Sequence, residues 1–190
     1  MQIPFTPEWR AGRSRRRRAS AFADLVRREP LDADARWLAD AAAGGDLDHA
    51  RWELRYARWS LAALSSQRDA LDDLTASDVL RALVQAITTD DAIEPGMRAL
   101  VEHQFNDRLT GYREAMAARG GLVGGGERLG RVLLAFASDG ARSAGTPLAR
   151  AVELLSAYLA EANEALRAIY GAATLPEHRP PSEAAGARAS

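Results

Sequence analysis

The feature that most constrains the fold is a long apolar repeat in the first half of the chain. Between residues 46 and 74, apolar side chains recur at alternating steps of three and four positions. This spacing places them on one face of an α-helix, as in the heptad repeats of helical bundles. The members of this seam are Leu47, Ala50, Leu54, Ala57, Leu61, Leu64, Arg68 and Leu71. The pattern predicts a helix from about Asp46 to Leu74, with Arg68 as the one polar member of its seam.

A second, aromatic stripe follows another face of the same predicted helix. It consists of Trp52, Tyr56 and Trp59 and is flanked by arginines such as Arg55. A helix that is apolar on two sides usually packs between neighbours, so we expect this one in the middle of a bundle. Core packing is the favoured interpretation of the aromatic side chains. Arginine beside aromatic residues is also typical of protein interfaces, which makes these four residues candidates for a contact surface.

Prolines and glycines divide the rest of the chain into further helices. Alanine, leucine, arginine and glutamate are abundant and β-branched residues are scarce, which favours helix over strand. The predicted helices, besides the central one, span residues 14–28, 32–43, 75–89, 95–120, about 129–136 and 146–170. We therefore expect an all-α fold, an antiparallel bundle of about six or seven helices.

The expected ends of these helices follow from local signals. Gly44 and Gly45 are expected to cap the second helix, and Gly171 the last one. Thr75 and Asp78 resemble a capping box at the start of the fourth helix. Residues 120–126 (GGLVGGG) and 139–145 are expected to be loops, the first of them flexible.

The organisation predicted for the whole chain has three parts. Residues 1–18 form a basic arm, extended up to about residue 13 because it contains two prolines and a glycine. Residues 19–171 form the helical bundle domain. Residues 172–190 form a tail rich in proline, alanine and serine, which is expected to be disordered.

The charged residues exclude several chemistries and point to a basic segment. All 25 positive side chains are arginine, and the chain has neither lysine nor cysteine. Schiff-base lysines, phosphate-loop lysines, thiolate nucleophiles and disulfides are therefore excluded. The net charge of −1 combines +5 in residues 1–18 with −6 in the remainder. The densest cluster comprises Arg13, Arg15, Arg16, Arg17 and Arg18. Three interpretations are open: the cluster binds phosphates of nucleic acid, it binds an acidic protein partner, or it has no specific partner.

Two matching dyads are the main candidates for metal chemistry. His49 and Glu53 are four residues apart on the third predicted helix, and His103 and Asp107 are four apart on the fifth. This spacing puts both members of a dyad on one helical face. If the two dyads face each other, they offer two imidazoles and two carboxylates to a divalent metal. The alternative is that both histidines are surface residues in local ion pairs.

These patterns favour a non-enzymatic binding or assembly module that acts through protein–protein contacts, either with a partner or with further copies of the chain. One alternative is a bundle that binds a metal or small ligand through the two dyads, with or without catalysis. Another is a nucleic-acid binder that uses the arginine cluster. No segment has the roughly 20 apolar residues of a membrane span, and the expected location is the cytoplasm.

Overall fold

A computed structural model describes residues 6–68, 72–118, 122–138 and 146–171 of the chain, and in these ranges the protein is a helical bundle. The described ranges contain seven α-helices and no β-strand. The helices are α1 (Pro7–Val26), α2 (Asp32–Ala41), α3 (Leu47–Arg68), α4 (Asp73–Thr88), α5 (Arg98–Ala117), α6 (Leu122–Ala137) and α7 (Thr146–Tyr170). A 3-10 turn, Pro95–Met97, leads into α5. The predicted all-α class and helical bundle are thereby confirmed.

Helix α3 lies at the centre of the bundle, as its two apolar faces predicted. It packs against every other α-helix of the described chain. From Leu54 to Ser66 all of its residues are buried except Arg55. Small side chains, among them Ala57, Ala62 and Ala63, are fully covered and let the neighbouring helices approach closely.

The glycine cap at Gly171 is confirmed, the predicted capping box is wrong, and α2 is capped by Ala42, just ahead of Gly44 and Gly45. Gly44 and Gly45 have φ values of 60° and 88°, a left-handed backbone that glycine adopts without strain. Gly171, at φ 84°, ends α7 and donates its N–H to the Arg167 carbonyl at 2.9 Å. At α4 the cap is Asp72, whose carboxylate accepts from the Thr75 N–H at 2.9 Å. The helix therefore begins before Thr75, and Asp78 serves as an ion-pair partner instead.

The predicted extended arm is wrong for residues 7–13, which belong to α1. Thr6 caps this helix by accepting the Trp9 N–H at 3.2 Å, and Pro7 occupies its first turn. A first-turn proline fits a helix because its missing N–H would have no partner there anyway. The expected boundary between arm and bundle, at residues 18 and 19, lies inside this continuous helix. The remaining arm residues, 1–5, lie outside the described residues.

Two further helix boundaries differ from the expectations. The central helix ends at Arg68 rather than Leu74, and Arg68 is exposed at its last position rather than buried in a seam. Leu71 lies outside the described residues. The expected flexible glycine segment is helical from Leu122 onward, so Gly124, Gly125 and Gly126 are part of α6. Positions 120 and 121, the 139–145 loop and the 172–190 tail lie outside the described residues.

Candidate functional site

A groove of about 370 Å³ lies between the first half of α3 and the segment that leads into α5. We call it the acidic groove. Its described lining residues are Asp46, Asp48, His49, Trp52, Glu53, Tyr56, Ala92, Ile93, Glu94, Met97, Leu100, Val101 and Gln104. Met97 and Leu100 are 46% and 44% exposed, which places two large apolar side chains on the open wall of the groove. Apolar surface of this kind, bordered by polar groups, is typical of interaction sites.

Acidic residues predominate among the charged side chains of the groove. Four of its lining residues are acidic and none is an arginine, although the chain contains 25 arginines. Asp46, Asp48 and Glu94 are exposed at its rim. Asp46 also caps α3 by accepting the His49 N–H at 2.9 Å. The groove therefore presents apolar surface inside a negative border.

Two residues of the predicted aromatic stripe, Trp52 and Tyr56, line the groove. Tyr56 and Trp59 are 1% and 4% exposed and belong to the core, whereas Trp52 is half-buried. The rings of Trp52 and Tyr56 are 5.6 Å apart, and the Tyr56 hydroxyl donates to Gln104 Oε1 at 2.8 Å. Burial raises the pKa of Tyr56 well above its usual value, so this hydroxyl keeps its proton.

Of the four predicted interface residues, Trp52 and Arg55 reach the surface. The Arg55 guanidinium lies 4.6 Å from the Trp52 ring centroid, a cation–π geometry. Its Nε and Nη2 donate to one carboxylate oxygen of Glu29, at 3.0 and 2.5 Å. Arg55 is thus held by intramolecular partners, and Trp52 is the aromatic side chain that the groove offers to another molecule.

The two histidine dyads do not come together as a metal site. Glu53 is buried at the base of the groove and accepts two hydrogen bonds from Arg108, at 2.6 and 3.2 Å. His103 is exposed and its Nε2 lies 3.4 Å from the Asp107 carboxylate, a local pair on α5. Within the described ranges, no three His, Asp or Glu side chains lie close enough together to hold a metal ion. His49 lines the groove but belongs to no such group of ligands among the described residues.

Because α1 is helical, the five arginines of the cluster fall into three sets: two that contact the bundle, two on an exposed face, and Arg16. Arg15 pairs with the buried Asp78 at 2.5 Å, and Arg18 stacks over Tyr170 at 5.5 Å. These two side chains therefore fasten α1 to the bundle. Arg16 is exposed and belongs to neither the ion pair nor the ring contact.

Three exposed arginines form a second face of α1. Arg10, Arg13 and Arg17 follow each other at steps of three and four residues, so they lie along one side of the helix. We call them the basic stripe. A shallow depression beside it is lined by Trp9, Ser14 and the stripe, with no acidic residue among its described lining. The Arg13 guanidinium lies 5.4 Å from the Trp9 ring centroid.

Sequence reasoning missed the wall of the acidic groove. Met97 and Leu100 lie within the predicted fifth helix, residues 95–120, and were not singled out as exposed side chains. The three-residue spacing between them fits a buried helix face as well as an exposed one. No local signal marked them as exposed, because the other side of the groove is formed by residues 46–56, which are far away in the chain.

Comparisons with known proteins leave the site to be interpreted from its own geometry. No protein-family model, no curated protein and no solved structure matches the chain. Among the helices of the described ranges, none combines the length and apolarity needed to cross a membrane.

Proposed function

We propose that this chain is a non-enzymatic assembly module whose copies associate head to tail. In this arrangement, the basic stripe of one copy docks onto the acidic groove of the next. The observation that carries the proposal is the complementary composition of the two surfaces. Among the described residues, the groove lining has four acidic side chains, one of which (Glu53) is paired with Arg108, and no arginine, whereas the depression along the stripe has three arginines and no acid.

The dimensions of the two surfaces support this pairing. Trp9 and the stripe together span nine residues of α1, from Trp9 to Arg17, which are about 14 Å long at the usual helical rise. The groove follows residues 46–56 along α3, about 16 Å by the same rise. Trp9 beside the stripe supplies an aromatic anchor, and Met97 and Leu100 supply the apolar surface that receives it.

The two surfaces are different patches of the same molecule, so the contact is heterologous. Such contacts form rings when the rotation closes and open filaments when it does not. A surface of this size is small for a permanent interface, so we expect weak association that grows with protein concentration. Because opposite charges at the rim carry much of the attraction, association should weaken as salt is raised well above about 0.1 M.

Two variants test the proposal when they are mixed. One carries Arg10→Gln, Arg13→Gln and Arg17→Gln, which neutralise the stripe. The other carries Asp48→Arg and Glu94→Arg, which reverse the groove rim while leaving the Asp46 cap in place. Each variant alone should sediment as a monomer at concentrations where the natural chain forms larger species. Mixed together, they retain one intact stripe and one intact groove and should form a 1:1 dimer that grows no further.

A matched control separates this effect from a general change of charge. Arg36→Gln, Arg113→Gln and Arg167→Gln remove the same number of positive charges from exposed positions elsewhere. This triple variant should associate like the natural chain. A natural chain that stays monomeric at about 0.5 mM in low salt would contradict the proposal, since weak specific contacts are populated there. A variant mixture that remains monomeric would contradict the head-to-tail pairing.

Binding of nucleic acid through the basic stripe is the second candidate function. It is favoured by the geometry of Trp9 against Arg13, since an aromatic ring beside arginines suits base stacking and phosphate contact. A mixed-sequence single-stranded oligonucleotide is the probe. The stripe variant should bind it more weakly and with a salt slope reduced by about 2–3, one for each lost phosphate contact. An unchanged slope would exclude this function.

The proposal includes the cytoplasm as the location of the protein. Fluorescence microscopy and fractionation of cells that express the full chain would test it. Recovery of the protein with membranes would contradict it.

A further inference from the structure

A second cavity, of about 260 Å³, lies between α1, α3 and α7, away from the residues that form the acidic groove. Its wall is mostly apolar and includes Leu25, Ala62, Ala162 and Ala165. Leu25 is 37% exposed, so an apolar side chain is open to solvent at this cavity. The volume corresponds to roughly nine water molecules, which suits a small organic ligand.

A buried arginine lies on the wall of this cavity. Arg58 of α3 is 7% exposed, and its Nη1 donates to the Arg28 carbonyl at 3.2 Å. Its Nη2 lies 3.3 Å from the carboxylate of Glu161, a side chain that is 52% exposed. Its Nε is buried and has no hydrogen-bond partner in the described chain. A buried cation that is only partly paired is costly, and an incoming anion can complete its pairing.

Tyr158 of α7 supplies a second polar group to the same wall. The guanidinium of Arg58 lies 4.3 Å from its ring centroid, and its hydroxyl is buried without a hydrogen-bond partner in the described chain. Burial raises the pKa of Tyr158 to about 12, so at neutral pH the hydroxyl is protonated and able to donate. One buried cation and one neutral donor thus lie beside the apolar part of the wall, which also carries Arg28, Glu161 and Glu164.

We propose that this cavity binds a small monocarboxylate with an apolar body. The carboxylate accepts hydrogen bonds from Arg58 and Tyr158, and the apolar body lies against the alanine and leucine side chains. Glu161 occupies the position of the anion in the unliganded protein and swings into solvent when the ligand enters. A planar carboxylate fits the fork of a guanidinium. Glu161 and Glu164, which also line the cavity, would repel a more highly charged phosphate.

Octanoate, used below its micelle concentration, is the probe, and calorimetry on the full chain is the measurement. We expect 1:1 binding of octanoate and at least roughly tenfold weaker binding of octanamide, because the amide lacks the charge that Arg58 recognises. Tyr158→Phe removes one hydroxyl from the wall and should weaken octanoate binding several-fold. Glu161→Gln should strengthen it, because the competing carboxylate is gone.

Weaker binding by Tyr158→Phe and stronger binding by Glu161→Gln would distinguish recognition of the carboxylate from adventitious apolar binding. Arg58→Met keeps a long apolar stem and should abolish the preference for octanoate over octanamide. If that variant does not fold, the Tyr158→Phe and Glu161→Gln variants still test whether the cavity recognises a carboxylate. Equal affinity for octanoate and octanamide, or absence of octanoate binding at about 10 mM, would overturn the proposal. So would an octanoate affinity that neither Tyr158→Phe nor Glu161→Gln changes.

Discussion

Arg108 of α5 clamps Glu53 of α3 through two hydrogen bonds, from Nη2 at 2.6 Å and from Nε at 3.2 Å. Glu53 is 2% exposed, and the Arg108 side chain is 14% exposed. The guanidinium also lies 4.7 Å from the ring centroid of Phe136 on α6. The pair therefore ties three helices together at the base of the acidic groove.

Removing one partner of this pair should cost more than removing both. Arg108→Leu leaves the Glu53 carboxylate buried without its cation, and we expect a loss of about 3–5 kcal/mol in the free energy of unfolding. Adding Glu53→Leu to that variant should recover much of the loss, because an apolar pair needs no charge compensation. Urea unfolding followed by circular dichroism measures both. Equal losses in the single and double variants would contradict this account.

Two glycines of α6 should respond in opposite ways to alanine. At Gly130 a Cβ would lie 3.0 Å from Leu148 Cδ1 and 3.1 Å from Val152 Cγ2, so these side chains of α7 would have to shift by a few tenths of an ångström. We expect Gly130→Ala to destabilise by about 1–3 kcal/mol. At Gly125 the nearest atom is the end of the flexible Arg128 side chain, at 3.9 Å. Gly125→Ala should stabilise by up to about 1 kcal/mol, since alanine has the higher helix propensity.

The unfolding midpoint in urea distinguishes the two substitutions. Stabilisation by both would mean that the close approach of α6 and α7 near Gly130 relaxes without cost. Destabilisation by both would mean that the segment around Gly125 is not helical in solution.

The contrast between these glycines also explains what the sequence predicted and what it did not. Helices with long apolar periodicity, above all α3, were predicted because the pattern is contained in the segment itself. The helical form of Gly124–Gly126 was not predicted. The low helix propensity of glycine can be seen in the segment itself, whereas the packing that stabilises this helix involves distant residues. Gly126 and Gly130 face Val152, which lies more than twenty residues away in the chain. Propensity is a weak prior when tertiary packing opposes it.

The candidate site was predictable only in parts for the same reason. The sequence identified Trp52 and the arginine cluster, since both are local concentrations of unusual side chains. It did not show that residues 46–56 and 92–104 face each other across one groove. It also did not separate Arg15 from Arg17, because the partner Asp78 of Arg15 is 63 residues away.

The Asp72 cap should make the start of α4 sensitive to acid. The Asp72 carboxylate accepts two hydrogen bonds from Thr75, one from the hydroxyl at 2.7 Å and one from the backbone N–H at 2.9 Å. These hydrogen bonds lower the pKa of the carboxyl group below its usual value. Its contribution is therefore complete above the unfolded pKa of about 3.9 and disappears as the pH falls through the folded pKa. Asp72→Ala should cost about 1 kcal/mol at neutral pH and progressively less in acid. Asp72→Asn, which keeps a capping oxygen, should lack that pH dependence.

The tyrosines provide a global test of burial at high pH. All four have raised pKa values, each chiefly because of burial, and that of Tyr158 is raised to about 12. At about pH 10 the unfolded chain has lost roughly half of its phenolic protons, while the buried Tyr56, Tyr112 and Tyr158 of the folded chain retain theirs. The free energy of unfolding should therefore fall as the pH rises above 10. Tyrosinate absorbance at pH 10 should be much weaker in the native protein than after urea is added. Strong tyrosinate absorbance at that pH with unchanged circular dichroism would contradict the buried positions of these rings.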